Sequence, residues 1–330
     1  MRTAPRLLAI GMAAASLAVA ACGSDNTNNQ SSAPKTTPTA PQATAAAGQI
    51  VKNPANAKVS LKIGSKNFTE QKVLGEIYAQ GLAAAGYTTS TDLNLGDQDT
   101  ALAALKGGHI DAYPEYTGTA LTAFFHKDAA DLPTDPQGAY EQAKQLFAQE
   151  GLTAFPPTPF TDSNEVAVTK ATADKYGLKS ISDLSKVASK LTLYGTPECR
   201  KRMDCLLGLQ KIYGLRFKKF VPVAPDQRHE VLQSGRADVS IVYTTDPQIK
   251  RNGEVLLEDD KGMFPPYNST LIMKDATAQK AGADLAKTID ALQKPLTDEA
   301  MQELDARVDL DKEQPADVAK QYLSETGLVK

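Results

Sequence analysis

The chain has 330 residues, 42% of them hydrophobic and 23% charged, a composition that supports a substantial buried core and leaves room for two domains. Its formal net charge is −3, and no dense Lys/Arg run follows the N-terminus, which excludes the basic footprint expected of a nucleic-acid-binding protein. Tryptophan is absent and aromatic residues make up only 6%, so a tyrosine placed at the end of an element carries information.

Arg2 and Arg6 flank the start of an apolar run from Leu7 to Ala21, too short to span a bilayer comfortably and laid out as a secretory signal. Val19-Ala20-Ala21-Cys22 looks like a bacterial lipobox, in which Cys22 becomes the lipidated first residue; an ordinary signal cleaved after Ala21 is the alternative. Residues 1–21 are expected to be removed, and acyl chains on Cys22 to hold the protein to the outer face of the cell membrane. Residues 22–57 are rich in Ser, Thr, Asn, Pro and Ala and read as a disordered tether. With Cys22 lipidated, Cys199 and Cys205 remain as a close pair in an exported chain, where a disulfide is expected and two free thiols are the alternative.

Folding is expected to begin at VSLKIGSK, where Val59, Leu61 and Ile63 alternate as on a half-buried strand. Asn67 is positioned to cap a helix, with Glu70 three residues on, and Val73, Leu74, Ile77, Tyr78 and Leu82 form its apolar stripe up to Gly86. Strands near 191–193 and 220–223, with a helix through Leu206, Leu207, Leu209 and Ile212 between them, continue the alternation. The class is therefore α/β, with largely parallel sheets.

LKGGHIDAYPEYTGT (105–119) lies over LQSGRADVSIVYTTD (232–246) without a gap, both reading L-x-x-G-x-x-D-x-x-x-x-Y-T. Each copy predicts a helix ending at glycine (Gly108, Gly235), an aspartate opening the turn (Asp111, Asp238), a short strand, and a tyrosine (Tyr116, Tyr243) at its carboxyl end. Because Pro114 weakens any central strand, Tyr113 and Tyr116 are expected where the element ends and side chains are displayed. Ligands of open α/β sheets bind beyond those carboxyl ends, so two such edges suggest a cleft with the tyrosines facing one ligand. Core tyrosines are the alternative, expected for Tyr78 and Tyr194.

Several separated segments in order, namely IGSKNFTEQKVLGEIYA, the DAYPEYTGT stretch, PEC followed by Arg202, YGLRFKKF, TTD and FPPYNS, resemble the glycine betaine/carnitine/choline substrate-binding proteins of osmoprotectant ABC transporters. The similarity runs from about residue 58 to the end. It implies a two-lobed periplasmic-binding fold of the second type with crossovers near 160–164 and 264–269: lobe I from 58–161 and 268–330, lobe II from 162–267. It implies an extracytoplasmic receptor, monomeric and without cofactor or metal, that delivers a small molecule to ABC permease subunits. A quaternary ammonium ion would sit among Tyr116, Tyr243 and Tyr267, since a methylated cation has no N–H to donate and ring faces are its natural partners. Lys66, Arg202 and Thr169 stand where the family holds a ligand carboxylate; taken alone, either cation reads equally well as a surface charge.

One position departs from the family. Where its pattern is approximately F-N-N-T-Y-A-L-A, this chain reads FTDSNEVA, placing Asn164 where a box tyrosine is expected. The altered box is expected to hold betaine more weakly or to accept a flatter or more hydroxylated compound. Against an enzyme stand the absence of a G-x-S-x-G elbow, a P-loop or an H-E-x-x-H motif and the wide spacing of His109, His126 and His229. Glu115 reads as a solvated loop carboxylate or a cap.

Overall fold

The computed structural model describes residues 48–128 and 131–330. The signal segment, Cys22 and the tether up to residue 47 lie outside the described residues. Residues 50 and 53, within the stretch expected to be a tether, are bonded to the folded part: the Ile50 N–H donates to the Leu328 carbonyl and the Asn53 N–H to the Ala85 carbonyl. Asn53 then caps the 3-10 turn Pro54–Lys58.

In chain order, the first half comprises β1 (Ser60–Gly64), α1 (Thr69–Ala84), β2 (Thr88–Asp92), α2 (Gln98–Gly107), β3 (Ala112–Tyr116), the single turn α3 (Thr117–Thr119), α4 (Pro136–Gln149) and β4 (Leu152–Ala154). The second half follows with β5 (Asn164–Thr169), α5 (Lys170–Tyr176), β6 (Thr192–Gly195), α6 (Leu206–Lys211), β7 (Lys219–Pro222), α7 (Arg228–Gln233), β8 (Val239–Tyr243), α8 (Pro247–Asn252) and β9 (Glu254–Leu257). The chain then returns as β10 (Ser269–Lys274), α9 (Asp275–Ala281), α10 (Ala283–Gln293), α11 (Asp298–Asp309) and α12 (Pro315–Glu325).

These strands make two five-stranded sheets, β2-β1-β3-β10-β4 and β7-β6-β8-β5-β9, both within one unit spanning 41–330. The fold is α/β, but each sheet is mixed. β10 runs antiparallel to both of its neighbours, as does β5 in the second sheet. Both opposed strands are the first to form after the chain passes between sheets. At those passages Thr161 bridges Asn268, and the Asp162 N–H donates to the Tyr267 carbonyl, so the two crossing segments lie side by side.

Leu61 and Ile63 are buried, and so are Val73, Leu74, Ile77, Tyr78 and Leu82 on α1, which packs on the sheet and on α10 to α12. The α1 start differs from expectation. Its N-cap is Phe68, with no side-chain cap bond, and Glu70 turns inward instead of completing a capping box. The second half has its own core, which includes Cys199 and Cys205 joined by a disulfide.

Tyr113-Pro114-Glu115-Tyr116 is not a display turn but the body of β3, and all of it is buried. Proline is tolerated because β1 pairs with β3 only at Ala112, so beyond that residue no neighbour on that side asks for the missing N–H.

Candidate functional site

A small cavity of about 30 Å3 lies where the strand ends of the two halves meet. That is about twice the minimum that admits one water molecule, so the walls must part for any larger guest to enter. Six of the residues singled out in the sequence line it: Lys66, Tyr116, Asn164, Arg202, Tyr243 and Tyr267. Thr169 does not. It stands at the other end of β5 from Asn164, about 16 Å along an extended strand, and its Oγ1 accepts the Thr172 N–H as the N-cap of α5. A different threonine, Thr119 of the YTGT stretch, lines the cavity.

On the first half, Lys66 follows β1, its backbone N–H held by Gln71 at 3.2 Å. Its ammonium pairs with Glu115 at 2.5 Å and lies 4.5 Å from the centre of the Tyr116 ring. Burial pulls the Lys66 pKa down against the opposing pull of Glu115. Glu115 is thus a buried partner rather than a solvated loop carboxylate, and it also accepts the Tyr113 hydroxyl at 2.9 Å. The Tyr116 hydroxyl donates to Glu70 at 2.6 Å; burial raises that phenol well above its ordinary range, and the Glu70 charge adds to it.

Phe68, which sequence reasoning passed over, joins the two halves. Its ring centre is 6.1 Å from that of Tyr116 and 5.4 Å from that of Tyr243. Its only signal was being a scarce aromatic next to the GSKN stretch. Tyr243 ends β8 directly opposite Asn164 in register, with the Arg228 guanidinium 4.4 Å from its ring centre. Arg228 is fixed by both oxygens of Asp246 and by the Pro225 carbonyl. Burial opposes ionisation of Asp246, but Arg228 and His229 hold its pKa below the usual carboxylate range.

Asp204, buried and two residues after Arg202, gathers five donors. Arg202 donates from Nε at 2.8 Å and from Nη2 at 2.5 Å, Tyr267 from its hydroxyl at 2.6 Å, Thr122 from Oγ1 at 2.9 Å and Asn164 from Nδ2 at 3.2 Å. Desolvation alone would raise its pKa; the Arg202 charge and these bonds lower it instead. Thr122 belongs to the first half and Arg202 to the second, so Asp204 bridges the cleft. Tyr267 packs against Gly118, where an added Cβ would sit 2.6 Å from the ring, so YTGT needs its glycine. Lys66 and Arg202 therefore each have a protein carboxylate already beside them, and Asn164 spends its amide on Asp204 rather than offering a ring face.

Asp162, on the first crossover, also lines the cavity and accepts from Thr245 Oγ1 at 2.8 Å. Burial pushes its carboxyl up to about 7, with Asp246 adding to the shift.

The cavity thus brings together four rings, two paired cations and a buried carboxyl. Comparison with known proteins gives the family. Residues 59–325 match the family model for the substrate-binding domain of ABC-type glycine betaine transport systems. A glycine-betaine-binding protein of Pseudomonas aeruginosa is 32% identical over 281 residues, covering 82% of this chain and 89% of that one. An ergothioneine transport permease/ergothioneine-binding protein of Helicobacter pylori is 28% identical over 270 residues, covering 81% of this chain and 48% of that longer one. A crystal structure described as a glycine betaine/carnitine/choline ABC transporter superposes with a TM-score of 0.64 at 27% identity, covering 80% of this chain and 98% of that one. With the family model spanning most of the chain, this protein belongs to the family of substrate-binding domains of ABC-type glycine betaine transport systems.

Proposed function

We propose that this protein captures a quaternary ammonium compound, glycine betaine or a relative of it, in the cleft between its two halves and presents it to ABC permease subunits in the membrane. The observation that supports this most is the set of four rings, Phe68, Tyr116, Tyr243 and Tyr267, drawn from both halves around one cavity. Each ring face that meets the cation contributes about 0.5–2 kcal/mol, more as the box dries. A ligand touching rings of both halves stabilises the closed form over the open one, and the permease reads that form. The receptor acts as a monomer on the outer face of the membrane, held there by lipid on Cys22. Among the described residues no helix is long and apolar enough to cross a bilayer.

A second reading is favoured by Asn164. With an amide where the family has a ring, and with Lys66 and Arg202 both paired internally, the cleft suits a flatter or more hydroxylated ligand than betaine. The Helicobacter pylori relative is named for ergothioneine, a betaine that carries a flat heterocycle.

Thermal unfolding of the purified chain with glycine betaine, carnitine, choline, ergothioneine and hydroxylated aromatic acids separates the two. A rise in Tm with at least one trimethylammonium compound is expected, growing with ligand concentration. No rise with any of them refutes capture of a quaternary ammonium compound, and a rise with ergothioneine alone selects the second reading.

A further inference from the structure

Three buried carboxyl groups lie close enough for their charges to act on one another, one of them at the cavity. Asp162 lines it. Glu70, in the first turn of α1, gives Oε1 to the Tyr116 hydroxyl and leaves Oε2 buried with no hydrogen-bond partner. Asp305, on α11, is buried with its Oδ1 likewise unpartnered. Burial raises the pKa of all three, and the charge of Asp162 raises those of Glu70 and Asp305 further. The titratable and charged groups facing the trio are Lys66, Tyr116 and Asp309 from the first half and Arg228, Tyr243 and Asp246 from the second. Both of these cations are taken: Lys66 pairs with Glu115 and Arg228 with Asp246. Among the described residues, neither of these two cations is left unpaired to hold the trio ionised.

We propose that Asp162, backed by Glu70 and Asp305, is a proton-linked cation subsite: a quaternary ammonium ion entering the cavity takes the place of the Asp162 proton, which leaves to solvent. The inference rests on the functional reading above. A neutral carboxyl tolerates a dry, partner-poor site that a carboxylate does not, until a cation arrives beside it. A methylated cation offers no N–H, so the carboxylate holds it by charge alone while the rings hold it by their faces. The sign follows. Below the pKa of the ligand-free site each binding event must expel a proton, and affinity falls by up to tenfold per pH unit; above it, affinity levels off.

Calorimetric titration of the purified chain with glycine betaine, choline and ergothioneine, at pH 5.5 and pH 8 and in buffers of differing ionisation enthalpy, tests this. Affinity about tenfold or more weaker at pH 5.5, with close to one proton released per ligand near pH 6, is expected. Asp162→Asn, which keeps an acceptor for Thr245, is expected to flatten the pH profile; Glu70→Gln, which keeps an acceptor for Tyr116, to move its midpoint. Equal affinity at both pH values with no proton release overturns the inference and leaves the function standing. Failure of all three probes to bind at either pH overturns the functional reading and the inference with it.

Discussion

In the first half of the molecule the Asp111 carboxylate accepts the Lys62 N–H of the neighbouring strand at 2.8 Å; in the second, Asp238 accepts the Thr192 N–H at 2.7 Å. Each follows a helix closed by a left-handed glycine, Gly108 at φ 75° and Gly235 at φ 70°, and each opens a strand that delivers a tyrosine to the cleft. Beyond that skeleton the copies diverge. β3 carries Glu115, which holds the Lys66 ammonium beside Tyr116. β8 carries Ile241 and Val242, and the cation beside Tyr243 is Arg228, from the helix before the strand, held by Asp246 after it. A ring with a neutralised cation next to it recurs at both edges although the charged residues occupy different positions in the two copies. The backbone ties are what the halves share; the chemistry at the cleft is built separately on each.

The largest test of that equivalence removes the buried anions. Glu115→Ala and Asp246→Ala each strand a buried cation and are expected to lower stability by about 3–5 kcal/mol in urea unfolding. They should part with pH: the Lys66 ammonium can shed its proton, so the Glu115→Ala loss shrinks as pH rises, while Arg228 cannot follow. Identical pH profiles would break the contrast. Next comes the disulfide, a restraint described in the second half. Reducing Cys199–Cys205 is expected to remove about 2 kcal/mol, with hydrogen exchange rising around residues 195–212 and not around Tyr116.

A smaller effect separates the tyrosines. Tyr116→Phe takes the donor from Glu70 and is expected to cost about 1 kcal/mol, whereas Tyr243→Phe is expected to stay within about 0.5 kcal/mol, since its hydroxyl makes no hydrogen bond among the described residues. Equal losses would mean that the hydroxyls play the same part. Smallest is Thr169→Ala, expected to lose about 0.5–1 kcal/mol of stability as a missing N-cap with ligand affinity unchanged. A loss of affinity would return Thr169 to the site.

Periodicity makes β1 and the α1 stripe legible, and the L-x-x-G-x-x-D-x-x-x-x-Y-T repeat points to both tyrosine-bearing strand ends. Local patterns of that kind depend on neighbours within a few residues. What stayed hidden depends on distant partners. Glu115 looked solvated because its cation is 49 residues away, and Asp204 gave no sign of bridging the cleft because Thr122 and Tyr267 approach it from 82 and 63 residues away. The family resemblance points to Thr169, whereas the residue that lines the cavity is Thr119 of the YTGT stretch. The mixed sheets escaped because strand direction at β5 and β10 is set by where the chain crosses between halves, which periodicity does not record.

The central claim, one cation held by rings from both halves, is tested most directly by titrating glycine betaine and ergothioneine into wild type, Tyr116→Ala, Tyr243→Ala and the double variant, with circular dichroism confirming that each is folded. Each single variant is expected to weaken binding by at least about 0.5–2 kcal/mol, roughly two- to thirtyfold, and the double variant to weaken it further. Affinity unchanged by removal of either ring, in variants that remain folded, would contradict the account.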